Sequence, residues 1–261
     1  MSRQNYYKSR KFRQRKQIDK SLILELVRHE RALQPKLGCR KLIELIRPEL
    51  SKAGTRIGRD LFFELMAMQE LLIKRRKRSV TTTNSRHCFK IYCNLLKDFE
   101  ITGVHQVLVS DITYIRTDGG FVYLSLVMDA YSRKIVGYDC SDSLEAEGCL
   151  RSLKKAISQL PDGHEAIHHS DRGSQYCCHA YVNELSGAGL RISMTEENHC
   201  YENAQAERLN GILKQEYMLG ETFLTKSDAY LAVREAIELY NTRRPHQALG
   251  YQIPSMVHAA A

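Results

Sequence analysis

Near Val104 the apolar pattern changes period, and this change limits the 261-residue chain to a helical front and a mixed α/β back. Upstream, Ile18, Leu22, Ile23, Leu26, Val27 and Leu33 recur at helical spacing, which predicts a helix to about Ala32. Gln34-Pro35 interrupts it. Leu42, Ile43, Leu45 and Ile46 predict a second, short helix that ends near Pro48 to Gly54. Thr55 is placed to cap a third over 56–68, with Ile57, Leu61, Phe62 and Leu65 as its buried stripe. Three short helices with a Gly-containing turn before the third predict a small all-α, helix-turn-helix-like domain.

Downstream, Val107, Leu108, Val109, Ile112, Tyr114 and Ile115 read as a strand. Asp118-Gly119-Gly120 is a turn, and 121–128 pairs back as a hairpin. A third strand over 134–138, a helix over 144–160, a strand over 165–169, a helix over 174–185 and a strand over 190–194 follow. Helices over 203–218 and 227–241 close the series. Three meandering strands and then alternating helix and strand predict an α/β, ribonuclease H-like core, a mixed five-stranded sheet flanked by helices. The expected organisation is a flexible basic arm (1–16), a helical DNA-binding domain (17–78), a polar linker (79–100) and a core with C-terminal helices (101–261).

Charge separates along the same divide. Residues 1–90 carry 24 Lys and Arg against 8 Asp and Glu, and residues 91–261 carry 15 against 22. The cations cluster: six lie between Lys8 and Lys16, and Lys74, Arg75, Arg76, Lys77 and Arg78 are consecutive, with no acid in either run. A solvated helix face mixes signs, so these runs predict phosphate contact. Arg56 and Arg59, early on the third helix, are the candidate groove contacts. The longest nearly apolar run, 121–128, is broken by Ser125 and falls far short of the roughly 18 residues of a membrane span. No apolar stretch follows the basic N-terminus and the eight cysteines lack a repeated spacing, so a cytoplasmic, nucleoid-associated protein with reduced thiols is expected.

Three acids stand out by position. Asp111 interrupts a strand of β-branched and aromatic residues, Asp171 ends the fourth strand, and Glu207 sits on the helix after the fifth. Carboxylates brought together this way repel one another and suit hard divalent cations. Two such ions about 3.5–4 Å apart could activate an attacking oxygen and stabilise a leaving one. Spacing alone is weak support, because the 35 residues between Asp171 and Glu207 also separate Asp111 from Glu147 and Asp129 from Glu165. Glu147 is better read as dipole-favoured surface charge, and Asp129 as the cap of a turn through Tyr131-Ser132-Arg133. Asn203 lies four residues before Glu207 and Lys214 seven after, so one helix face carries an amide, an acid and a cation fit to grip a phosphodiester.

These residues carry a resemblance. S-D-I-T-Y-I at 110–115, Y-L-S-L-V-M-D-A-Y-S-R-K-I-V-G at 123–137, H-S-D-R-G-S-Q-Y at 169–176, Y-E-N-A-Q-A-E-R-L-N-G-I-L-K at 201–214 and Y-N-T-R-R-P-H-Q-A-L-G-Y at 240–251 resemble bacterial insertion-sequence transposases, specifically the second-reading-frame product with its integrase core. The resemblance implies that Asp111, Asp171 and Glu207 are the catalytic and metal-binding acids. Asp111 would bridge two Mg²⁺ ions, replaceable by Mn²⁺, while Asp171 and Glu207 would hold one each. Lys214 matches the family's basic residue two turns after its Glu. The implied activity is metal-dependent DNA cleavage and strand transfer, with element ends and target DNA as substrates. The implied partners are the first-frame product, or a fused form of it, and further copies of the chain on DNA. Two alternatives stay open: a ribonuclease H-like nuclease without strand transfer, and a DNA-binding regulator with a degenerate core. Leu108 stands where members often carry Trp, which touches packing and not the acids. His87, Cys88 and Cys93 lack a second ligand pair for zinc. His168 and His169, just before Asp171, fit either support of the acids or strand-end packing.

Overall fold

The computed structural model describes residues 3–73, 88–196 and 203–260. These divide into two compact units, one of residues 3–73 with 245–251 and one of 88–244 with 252–260.

The first unit holds α1 (Arg3–Leu33), α2 (Cys39–Lys52) and α3 (Arg59–Met68). Ile23 and Val27 of α1, Leu42, Ile43 and Ile46 of α2, and Phe62, Leu65 and Met66 of α3 form one buried cluster with Leu37. Two findings depart from the sequence reading, at the basic arm and at Thr55. The flexible arm expected over 1–16 is helical from Arg3, because 3–33 contains neither Gly nor Pro and is rich in Arg, Lys and Gln. Pro48 lies inside α2, which ends at Lys52, within the expected range of 48–54. The exposed position of Pro48 lets the carbonyl freed four residues earlier face water. The stop is Gly54 at φ +69°. Its N–H donates to the Ser51 carbonyl and that of Thr55 to the Leu50 carbonyl, the paired closure that left-handed glycine permits. Thr55 is therefore buried beyond α2, and α3 begins four residues later, capped by Gly58 without a side-chain bond.

The second unit is a mixed sheet of β1 (Val107–Thr117), β2 (Gly120–Asp129), β3 (Ile135–Ser141), β4 (Ile167–Ser170), β5 (Arg191–Met194) and the two-residue β6 (Thr222–Phe223). The strand order is β3-β2-β1-β4-β5, with β6 added to β1. β1, β2 and β3 pair antiparallel, and β4, β5 and β6 run parallel to their neighbours. One face packs on α7 (Ala204–Glu216) and α8 (Lys226–Thr242), with Leu209, Leu213, Val233 and Tyr240 buried against Val109, Leu124 and Leu126. The other packs on α4 (Ala146–Ile157), the single-turn α5 (Ser174–Cys177) and α6 (His179–Gly187), through Leu153, Tyr181 and Leu185 against Leu108 and Val127. Gly137 on β3 makes the α4 contact possible, since a Cβ there would collide with the Ser152 carbonyl oxygen. The sixth strand and α9 (Pro254–Ala259) are additions to the expected elements. The linker expected over 79–100 is corrected at its end. Leu95, Leu96 and Phe99 pack on the core, and the Leu95 N–H donates to Ser193 Oγ at 2.9 Å. Among the described residues no helix is long and apolar enough to cross a membrane.

Candidate active site

The site begins with an asymmetry of β1. One edge pairs with β2 from Leu108 to Thr117. The other pairs with β4 only over Val107 to Val109, and with β6 only at Arg116 and Thr117. Asp111 lies in the interval between. Parallel β4 stops at Ser170 beside it, and the next residue is Asp171. The two carboxylates line one cavity of about 410 Å³.

Backbone N–H groups hold Asp111 and Asp171, and a side-chain amide holds Asp111 as well. Asp111 Oδ1 accepts the Ile112 N–H at 2.9 Å, and its Oδ2 accepts Asn210 Nδ2 at 2.7 Å. Burial first, and then repulsion from Asp171 and Glu207, push the Asp111 carboxyl up to about 7 despite those bonds. Asp171 Oδ1 accepts the Gly173 N–H at 2.9 Å. A Cβ at 173 would stand 3.0 Å from that oxygen, so a side chain there would make the carboxylate give by a few tenths of an ångström. Glu207 is exposed on the first turn of α7. It acts on Asp111 through its charge but does not line the cavity.

On α7 the polar residues Asn203, Glu207, Asn210 and Lys214 follow one another at intervals of four, three and four, a single stripe beside the apolar face of Leu209 and Leu213. Their roles differ from the sequence reading at one point. Asn203, expected to grip DNA, is buried and donates through Nδ2 to the Ser110 carbonyl at 3.1 Å. It is a tie between helix and strand, because the start of α7 lies against β1. Asn210, which the sequence reading passed over, makes the contact to the acid; its only signal was its place one turn after Glu207. Lys214 is half-buried, with Nζ 4.4 Å from the centre of the Tyr114 ring, and burial lowers its pKa.

Below the acids lies a buried polar layer. His168 Nε2 is 2.7 Å from Ser110 Oγ and 3.0 Å from the Tyr181 hydroxyl, and burial holds the imidazole down at about 3, neutral. His169 Nδ1 is 2.8 Å from Ser193 Oγ. These contacts tie β4 to β1, β5 and α6. Asp129 is fully buried and accepts from the His105 N–H, the Ser132 N–H and Ser132 Oγ, the turn cap expected of it. Cys177 packs in the core. In the first unit Arg59 opens α3, exposed and paired with Asp60 at 2.9 Å, whereas Arg56 lies in the segment before the helix and not on it. The helix starts later than expected because Gly58, not Thr55, caps it. Lys74, Arg75, Arg76, Lys77 and Arg78 lie outside the described residues.

Among the described residues no three His, Cys, Asp or Glu side chains stand close enough to hold one metal ion. The pair fits one nevertheless. Two carboxylates share a cavity wall, one of them driven toward neutrality by burial and by the other, and a hard cation relieves that repulsion.

The chain matches the family description "Integrase core domain" twice, over residues 102–200 and 188–254. It is similar to the insertion element IS600 uncharacterized 31 kDa protein of Shigella sonnei, 37% identical over 92% of this chain and 88% of that protein. It is 33% identical to the transposase for insertion sequence element IS629 of Shigella sonnei, over 81% of this chain and 71% of that one. Its fold is similar to that of one chain in the cryo-EM structure of the simian T-cell lymphotropic virus intasome in complex with PP2A regulatory subunit B56 gamma, at a TM-score of 0.51 and 16% identity over 85% of this chain and 74% of that chain. A ribonuclease H-like sheet with an acid inside its central strand thus belongs here to an integrase core, the class of polynucleotidyl transferases. Within that class the chain belongs to the transposases of bacterial insertion sequences, and its function is DNA transposition.

Proposed function

We propose that Asp111, Asp171 and Glu207 are the catalytic acids of a two-metal strand cleavage and strand transfer. The observation that carries this is the pair Asp111 and Asp171 on one cavity wall at the open interval of β1. Two Mg²⁺ ions, with Mn²⁺ able to substitute, would supply Lewis acidity at the attacking and leaving oxygens of an in-line displacement at phosphorus. Asp111, which feels the charge of both other acids, would hold metal together with them. Asp171 would do so from the end of β4 and Glu207 from the exposed first turn of α7. Asn210 keeps Asp111 in its rotamer, and Lys214 steadies a phosphate of the bound strand.

In the first step a water oxygen attacks the phosphodiester at an element end and the 3′-oxygen leaves with a proton as a hydroxyl. In the second, that 3′-hydroxyl attacks a phosphodiester of target DNA, so the new bond replaces the broken one. The basic first unit, with exposed Arg56 and Arg59, and the run 74–78 hold DNA phosphates. Copies of this chain, with the first-frame product or a fused form of it, assemble on the element ends in the bacterial cytoplasm.

The test is cleavage of element-end DNA with Mg²⁺ by the wild type and by Asp171→Asn. Loss of cleavage with DNA affinity and fold intact supports the assignment. A metal-free melting temperature well below wild type would make Asp171 a structural residue and overturn it.

A further inference from the structure

Beside the acids and the polar Thr113, Ser174 and Gln175, the cavity wall carries a group of apolar and aromatic side chains. Ile112, Tyr114, Phe121, Tyr123 and Leu144 line it, with Arg116 beside them. Tyr114 and Phe121 meet edge to face with centroids 5.4 Å apart, and Lys214 covers Tyr114 from α7. Phe121 is 45% exposed and Leu144 46%, so an aromatic and an aliphatic side chain stand open to solvent at the rim of a catalytic cavity. Metal binding and hydrolysis use none of these five side chains. Asp111 and Tyr114 are three residues apart on β1, about 10 Å, so adjacent nucleotides of one strand can reach both.

We infer that this apolar group lines a subsite for a single unpaired nucleobase of the DNA strand whose phosphate lies at the acids. The inference rests on the transposase reading above. Flat aromatic walls bind bases through their faces, and a base offers its face only when it has left the duplex stack. At about 410 Å³ the cavity is of single-ligand size and holds one base with its sugar, not a duplex. Arg116, exposed at the rim, and Lys214 supply the positive charge that the flanking phosphates of an extruded nucleotide require. An apolar small molecule would have no use for those two cations, and a paired duplex could not enter. The subsite reads unpairing and not sequence, because every base presents a π face.

The test uses the full-length chain in Ca²⁺ with a labelled DNA hairpin ending in a two-nucleotide single-stranded 3′ overhang. Its competitor is the same hairpin with an abasic overhang. The wild type should prefer the intact overhang by about five-fold or more. Phe121→Ala and Leu144→Ala, both at exposed positions, should bring that ratio close to one while binding to a blunt hairpin stays unchanged. Phe121→Trp should keep the ratio. A wild type without preference, or a Phe121→Ala ratio equal to wild type, overturns the subsite. If strand transfer persists in either case, the transposase reading stands alone. A wild type that neither binds the hairpin nor joins DNA overturns both.

Discussion

The side-chain amide of Asn210 donates to Oδ2 of Asp111 at 2.7 Å, joining the helix that carries Glu207 to the strand that carries Asp111. Asp111 Oδ1 is already engaged by the Ile112 N–H. Asn210 therefore sets the carboxylate's rotation, and through it the direction in which the acid faces Asp171 and Glu207.

Asn210→Ala should lower strand-transfer activity by about 10- to 100-fold, the usual cost of losing a partner that orients a metal-binding acid. Stability should fall by only about 1 kcal/mol, one hydrogen bond's net worth. Transfer rates across an Mg²⁺ titration, read beside thermal melting, separate the two effects. A loss of activity that follows the melting temperature would make Asn210 merely structural.

Gly173 has φ −61° and ψ 143°, a conformation open to any residue, so a substitution there acts on the space beside Asp171 and not on the backbone. Gly173→Ala would press a methyl group against Asp171 Oδ1 and turn the carboxylate away. The expected result is about a ten-fold or larger loss of cleavage, since small misplacements at a reacting centre are costly. Circular dichroism should show an unchanged fold. Full activity would show that the Asp171 rotamer does not matter.

Arg244 is almost wholly buried and forms a two-pronged pair with Glu216, Nε to Oε2 at 2.9 Å and Nη2 to Oε1 at 3.0 Å. It fastens the end of α8 to the end of α7, behind the helix that bears Glu207. Arg244→Ala should cost about 3–5 kcal/mol by breaking a buried, doubly hydrogen-bonded ion pair. Arg244→Met with Glu216→Leu should cost less than the single change. Denaturant melts of the three proteins check the order.

His168 is held neutral, with its pKa lowered from 6.5 to about 3. A group whose folded pKa is depressed contributes stability that is complete above the unfolded value and is lost as pH falls. The wild type should therefore lose melting temperature between pH 6.5 and 4 more steeply than His168→Gln, which has no proton to take up. Parallel slopes would show that His168 is charged in the folded protein.

How much of this could be read from the residues follows from what each does. Asp111 is visible because an acid is out of place in a strand, and Asp171 because it ends one. The order of strands and helices along the chain follows from the alternation of periods between 104 and 241, whereas the strand order within the sheet does not. Asn203 misled because a one-face pattern says which residues are neighbours, not which are covered, and β1 covers the start of α7. Asn210 was hidden for the same reason, as an amide becomes informative only when its partner is known. Thr55 was misread because burial decides where a helix starts, and that is not written locally. The two-residue β6 carries no periodicity at all.

Glu207 is the acid that the static arrangement leaves outside the cavity, so it bears the central claim. The direct measurement is strand transfer on a labelled, pre-nicked element end with Mg²⁺, comparing the wild type with Glu207→Gln. Joined product from the wild type alone is the predicted result. Equal product from both proteins would contradict the account, because the helix acid would then take no part in the chemistry.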